Sequence, residues 1–233
     1  MFRKSAGFTI LASLCTGIAT LAIAGGPIES APGAAAEQTP INCIYSLPTC
    51  PVSDEPVAEG DSAVIRVFDG REVRFCCEMC VAKFEADKAK YWAKIDAQVI
   101  EQQRPLYPLT QCVVVPDDAL IVDEVDMGVN YVYGNRLARF CCKGCIKGFK
   151  KEPATFLAAI DAAIIEAQVK DYPLETCLVS GHKLDAMGKP YDVVVGGRLI
   201  RLCCADCLPK LRESPAHYIA MVDQARAKAA KAN

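Results

Sequence analysis

The residues with the most chemistry in this chain are its cysteines. There are 14 in 233 residues, and all but Cys15 and Cys43 fall into three sets of one form, Cys…Cys-Cys-x-x-Cys. The sets are Cys50, Cys76, Cys77 and Cys80; Cys112, Cys141, Cys142 and Cys145; and Cys177, Cys203, Cys204 and Cys207. Thiolates are nucleophiles, redox couples and soft metal ligands, so the spacing has to choose among these roles. In each set one Cys precedes a strand pair and the others follow it, at the start of a helix. Ligands from two such segments converge readily on a tetrahedral ion such as Zn²⁺. A helix N-terminus favours the thiolate over the thiol. Metal binding is therefore the expected chemistry, at about one ion per set. The ion is Zn²⁺ or, as the alternative, Cu⁺, since thiolates suit both.

Two other thiol chemistries compete. An oxidising compartment favours disulfides, and four cysteines per set allow two. Neighbouring cysteines are poorly placed to pair with each other, and loss of Cys15 with a leader would leave an odd number. Cys77-x-x-Cys80 matches the spacing of redox motifs but lacks the alternating strand–helix pattern around it. Val81, Ile146 and Leu208 stand where a c-type haem site needs His.

Whether the second Cys of each adjacent pair (Cys77, Cys142, Cys204) completes a four-thiolate site or is a small buried hydrophobe stays open. A third option draws the fourth ligand from five positions after the turn Cys, at Glu55, Asp117 and His182. Met127 and Met187 are soft donors near their turn cysteines, and packing is the plainer role for them. His217 reads as a surface residue. The recurring arginines, Arg71, Arg136 and Arg198 with Arg74, Arg139 and Arg201, read either as aids to the thiolates or as solvated strand positions. No Gly-rich phosphate loop and no Gly-x-Ser-x-Gly elbow occur, so no enzyme is expected. The net charge of −2 offers no basic stripe for nucleic acid.

These sites need elements to hold them, and the elements repeat. Tyr-Ser-Leu-Pro-Thr-Cys50, Tyr-Pro-Leu-Thr-Gln-Cys112 and Tyr-Pro-Leu-Glu-Thr-Cys177 open the three blocks. Arg-Phe-Cys-Cys, Arg-Phe-Cys-Cys and Arg-Leu-Cys-Cys lead into their Cys-x-x-Cys ends. The middle block has a longer loop between the turn Cys and the pair. Between these motifs, Val64–Phe68 and Glu72–Phe75 flank Asp69-Gly70, and Gly134-Asn135 and Gly196-Gly197 occupy the matching places. Such pairs supply the positive φ angles of tight hairpins. Pro153 and Pro215 mark fresh helix starts. Phe156, Leu157, Ile160, Ile164 and Ile165 then follow a helical period, as do Tyr91, Trp92 and Ile95, and Tyr218, Ile219 and Val222. These stripes are expected in the core. A unit of about 60 residues buries little apolar surface and needs a staple, which gives the cysteines a structural task.

Ahead of the repeats, a basic start, an apolar run and Ala22-Ile23-Ala24 read as a cleavable signal peptide over 1–24. Residues 25–40, rich in Ala, Gly and Pro, read as a flexible tether. The protein is then exported, to the periplasm or cell surface, with membrane contact only if the leader is retained.

Phe75-Cys76…Cys80…Phe84 and Phe140-Cys141…Cys145…Phe149, with the upstream Cys50-Pro-Val-Ser53, resemble the TRASH and YHS group of treble-clef-like metal-binding modules. The resemblance spans nearly the whole chain after the leader. It implies an α+β fold of three tandem small modules, each a knuckle turn plus β-hairpin followed by a helix, over 41–104, 105–170 and 171–233. It implies Cys50, Cys76 and Cys80, Cys112, Cys141 and Cys145, and Cys177, Cys203 and Cys207 as ligands, and a role in metal sensing or handling. The additional Cys77, Cys142 and Cys204 depart from the simplest pattern, as do Leu202 and Leu211 in place of Phe. The expectation is a non-catalytic metal-binding protein for storage, buffering or sensing. The alternative is a disulfide- or metal-stapled scaffold that binds another protein.

Overall fold

The computed structural model describes residues 40–232. The leader expected over 1–24 lies outside the described residues, as does all of the expected tether but Pro40. The fold is α+β. Each repeat carries one antiparallel hairpin: β1 (Val64–Phe68) with β2 (Arg71–Phe75), β5 (Val129–Tyr133) with β6 (Arg136–Phe140), and β7 (Tyr191–Val195) with β8 (Arg198–Leu202). Their registers correspond, with Val64 opposite Phe75, Val129 opposite Phe140 and Tyr191 opposite Leu202. Each hairpin is followed by a short helix and a long one: α1 (Glu78–Ala86) and α2 (Lys88–Gln103), α3 (Cys145–Phe149) and α4 (Pro153–Val169), α5 (Leu208–Glu213) and α6 (Pro215–Ala232). The longer loop of repeat two holds an extra two-residue strand pair, β3 (Ile121–Val122) with β4 (Val125–Asp126). Among the described residues no helix is long and apolar enough to cross a membrane.

Local sequence explains the breaks. Pro153 and Pro215 sit at the first positions of α4 and α6, where the missing N–H costs nothing. Repeat one has no such Pro. Instead the Asp87 carboxylate accepts from the Lys90 N–H at 3.3 Å and caps α2. The hairpin turns use positive φ at Asp69 and Gly70, at Gly134, and at Gly196 and Gly197.

Three apolar clusters follow the three repeats. Phe75, Phe84, Ile95 and Val99 belong to the first, Phe140, Phe149, Leu157, Ile160 and Ile164 to the second, and Leu202, Leu211, Tyr218, Ile219 and Val222 to the third. The helical stripes thus lie in or against the cores. The clusters share one unexpected component, residues 41–47, just ahead of the first repeat's turn Cys. Ile44 is buried in the third core, Cys43 in the second, and Tyr45 and Leu47 in the first. Hairpin tips press on this segment. A Cβ on Gly134 would lie 3.1 Å from the Cys43 Cβ, and one on Gly196 would lie 2.9 Å from the Ser46 Oγ.

Polar contacts also tie the repeats together. The Gln103 side chain, at the end of α2, donates to the Asn135 carbonyl at 2.9 Å and accepts from the Leu137 N–H at 3.0 Å. Gln168, at the end of α4, repeats this with the Gly197 carbonyl at 3.0 Å and the Leu199 N–H at 2.9 Å. The Arg74 guanidinium closes the set by donating to the carbonyls of Arg212 and Glu213, at 2.6 and 2.8 Å. Each repeat therefore touches both others.

Candidate metal centre

The turn Cys of each repeat sits in a tight backbone loop. The Cys50 N–H donates to the Glu55 carbonyl at 2.8 Å, and the Asp54 N–H returns to the Cys50 carbonyl at 3.0 Å. Repeat three matches this, with Cys177 N–H to the His182 carbonyl at 2.7 Å and Gly181 N–H to the Cys177 carbonyl at 2.8 Å. Asp54 and Gly181 hold the same left-handed backbone position, with φ of 62° and 75°. Repeat two is one residue longer here: Cys112 N–H donates to the Asp118 carbonyl at 2.8 Å, across a Val115–Asp118 turn with Pro116 at its second position.

On the other side, β2, β6 and β8 end on buried Phe75, Phe140 and Leu202, which fixes where the adjacent cysteines emerge. The first turn of the following helix brings the last Cys back. The Cys80, Cys145 and Cys207 N–H groups donate to the carbonyls of Cys77, Cys142 and Cys204. In this way three triads assemble: Cys50, Cys76 and Cys80; Cys112, Cys141 and Cys145; Cys177, Cys203 and Cys207. Within each, the sulfurs all lie within 4.8 Å of one another.

The separations fit a metal better than a bond. Sγ–Sγ distances are 3.6 Å for Cys76–Cys80, 3.5 Å for Cys141–Cys145, 3.8 Å for Cys203–Cys207 and 3.7 Å for Cys177–Cys207. A tetrahedron with Zn–S near 2.3 Å has edges of about 3.8 Å. A disulfide needs about 2.05 Å, and all described cysteines are thiols.

The second Cys of each pair stands beside its triad. Cys77 Sγ lies 3.8 Å from both Cys76 and Cys80, Cys142 lies 3.7 Å from Cys145, and Cys204 lies 3.9 Å from Cys203. None of them belongs to the mutually close groups. Cys142 is exposed, while Cys77 and Cys204 are half-buried, so none is a buried hydrophobe.

The protons are unevenly shared. Burial raises the Cys50 pKa, but N–H groups of Cys76, Ser53 and Val52 and the Ser53 hydroxyl outweigh it, and the value falls to about 7. Burial works against Cys177 too, yet the Ser180 hydroxyl and the N–H groups of Cys203, Ser180 and Val179 bring it to about 7. Cys112 is lowered in the same way: burial is outweighed by N–H groups of Cys141, Val115 and Val114. The last Cys goes the other way, chiefly by burial, to about 12 at Cys80, about 11 at Cys145 and about 12 at Cys207. In each triad the turn Cys is thus more acidic than the last Cys.

Several expectations are corrected. The side chains of Glu55, Asp117 and His182 are exposed and outside the triads, and Glu55 and His182 serve the turn through their carbonyls. The acidic side chain at site two is Asp118, whose Oδ2 accepts from the Cys141 thiol at 3.1 Å. Counting from the turn Cys missed it because the turn has one extra residue. Met127 and Met187 are 60% and 70% exposed and do not pack. Exposed Met79 was missed altogether. The arginines are not solvated strand positions: Arg74, Arg136 and Arg139 are buried. Arg71 pairs with Asp96 at 2.7 Å, Arg136 with Asp161, and Arg198 with Asp223 at 3.0 Å, each joining a hairpin to its own long helix. The identical spacing of these pairs was readable beforehand. His217 is exposed, as expected. Leftover Cys43 is buried against Gly134, and burial pushes its thiol up to about 11.

No family model, curated protein or solved structure matches the chain. The site therefore speaks through its own geometry.

Proposed function

We propose that this protein is a non-catalytic binder of thiophilic metal ions, holding about one Zn²⁺ or Cu⁺ per repeat for storage, buffering or sensing. The observation that carries this reading is the three triads, with sulfurs within 4.8 Å of one another. Three similar sites on one frame suit holding ions rather than turning over a substrate. Cys50, Cys112 and Cys177, whose pKa values are lowered by N–H groups of their turns, are the turn donors, and the later cysteines of each triad complete the donor set. Cys77, at 3.8 Å from Cys76 and Cys80, and Cys204, at 3.9 Å from Cys203, stand close enough to add a fourth thiolate at sites one and three. The TRASH and YHS resemblance supports the same assignment, with each repeat a treble-clef-like module. The apolar leader and Ala22-Ile23-Ala24 support export to the periplasm or cell surface.

Elemental analysis of natively purified protein, with a free-thiol count, tests the reading. About three metal ions per chain are expected, with thiols that become titratable on chelation. No metal together with oxidised thiols would overturn it in favour of a disulfide-stapled scaffold.

A further inference from the structure

We infer that the three sites are not equivalent: Asp118 makes site two a three-thiolate, one-carboxylate centre that selects a divalent ion of the Zn²⁺ class, leaving sites one and three as the more Cu⁺-accepting pair. This deepens the function proposed above and rests on it.

The first member of each adjacent pair has one oxygen partner from the turn loop. For Cys76 it is the Ser53 hydroxyl at 3.2 Å, and for Cys203 it is the Ser180 hydroxyl at 3.2 Å. For Cys141 it is the Asp118 carboxylate at 3.1 Å. The substitution is built into the backbone. The extra residue of this turn and its Pro116 bring residue 118 to the place where its carbonyl receives the Cys112 N–H and its side chain meets Cys141. The outer cysteine points the same way. Cys142 is exposed, whereas Cys77 and Cys204 are half-buried. Asp118 is exposed too, but its Oδ2 lies 3.1 Å from Cys141, nearer to a triad sulfur than the 3.7 Å from Cys142 to Cys145. At site two, then, the carboxylate is the better-placed fourth donor.

Charge and donor type make this a selection. When an ion binds, the thiol protons leave to solvent. A serine hydroxyl then turns to donate to its thiolate and adds no charge. Once Cys141 has lost its proton, Asp118 has nothing to accept from it and faces three thiolates with a fourth negative charge. A divalent ion offsets one more charge than Cu⁺ does, and carboxylate oxygen suits Zn²⁺ better than soft Cu⁺.

The test uses the full chain stripped of metal, then loaded with Zn²⁺ and challenged anaerobically with Cu⁺. The wild type should keep one zinc per chain while the other sites exchange. Asp118→Ser, which copies the other two sites, and Asp118→Asn, which keeps the side chain's shape, should each weaken zinc retention at that site by at least about 10-fold. Co²⁺ loading reads the same point spectroscopically: both variants should alter one third of the ligand-field signal. If all three sites of the wild type exchange alike, or both variants retain zinc as the wild type does, the inference falls while the metal-binding reading stands. If no site takes up Zn²⁺, Co²⁺ or Cu⁺, both fall.

Discussion

Gln103 is the sharpest single handle on how the three sites are held. Its amide joins the end of α2 to the tip of the next hairpin through the two hydrogen bonds to Asn135 and Leu137. Gln103, Asn135 and Leu137 are 4%, 1% and 1% exposed, so water cannot readily take over. Gln103→Ala orphans one buried carbonyl and one buried N–H. At ~1–3 kcal/mol for each of the two stranded groups, the loss is about 2–6 kcal/mol. That is a large part of the ~5–15 kcal/mol that holds most domains folded. The assay is urea unfolding of the metal-loaded chain, followed by circular dichroism, with metal per chain measured on the folded variant. The midpoint should fall while the slope and the metal content stay constant. Gln103→Glu should be at least as damaging, since a carboxylate cannot donate to the Asn135 carbonyl. A loss under about 1 kcal/mol for Gln103→Ala, or a transition that splits in two, would refute the view that the repeats form one cooperative frame.

Three further outcomes are expected. Cys145→Ser should empty site two and leave metal at sites one and three, whereas Cys142→Ser should retain the ion with a loss of about 1 kcal/mol or less, as for an exposed side chain. Metal analysis of the two variants separates these cases, and equal loss in both would make Cys142 a ligand. Gly134→Ala should destabilise by at least ~1–2 kcal/mol, because φ is +60° and the new methyl would press on Cys43; denaturant midpoints measure it. Cys43 should resist a small alkylating agent at pH 8 in the native chain, its pKa being raised to about 11 by burial, and peptide mapping would show early labelling if it were accessible. Because the folded value lies above the unfolded one, the stability this thiol contributes is whole below about pH 8.5 and fades as pH rises toward 11.

The local elements were legible because repetition reported them three times. Asp69-Gly70 and its counterparts placed the shared hairpin of each repeat, though not the β3–β4 pair, and Pro153 and Pro215 placed two of the long helices. The four-cysteine sets followed, since spacing put them at a turn and a helix start, while the choice of three within each set came from the TRASH and YHS resemblance. What sequence left out is long-range or one residue wide. Nothing in residues 41–47 announces that they divide their side chains among three cores; beside an Ala-Gly-Pro stretch they read as the edge of a module. The buried arginines were undervalued because a charge in a strand looks solvated until its partner on the following helix is found. Asp118 was mistaken for Asp117 because a bulge in a turn shifts register without altering composition.

Residues 41–47 also carry a consequence in time. They emerge at the very start of the first repeat, yet Ile44 can join the core that holds Ile200, Leu202 and Val222 only after the third repeat has been made. At ~5–20 residues per second, synthesis of the intervening chain takes on the order of ten seconds or more. Tyr45 and Leu47 can settle into the first core at once, while Ile44 waits beside them without a partner. Contacts between such distant parts of a chain are slow to form, because loop closure comes before any reward. Folding is complete only when the last helix comes round to the chain's own beginning. A chain halted after repeat two would leave Ile44 without its core and the Arg74 guanidinium without the carbonyls of Arg212 and Glu213.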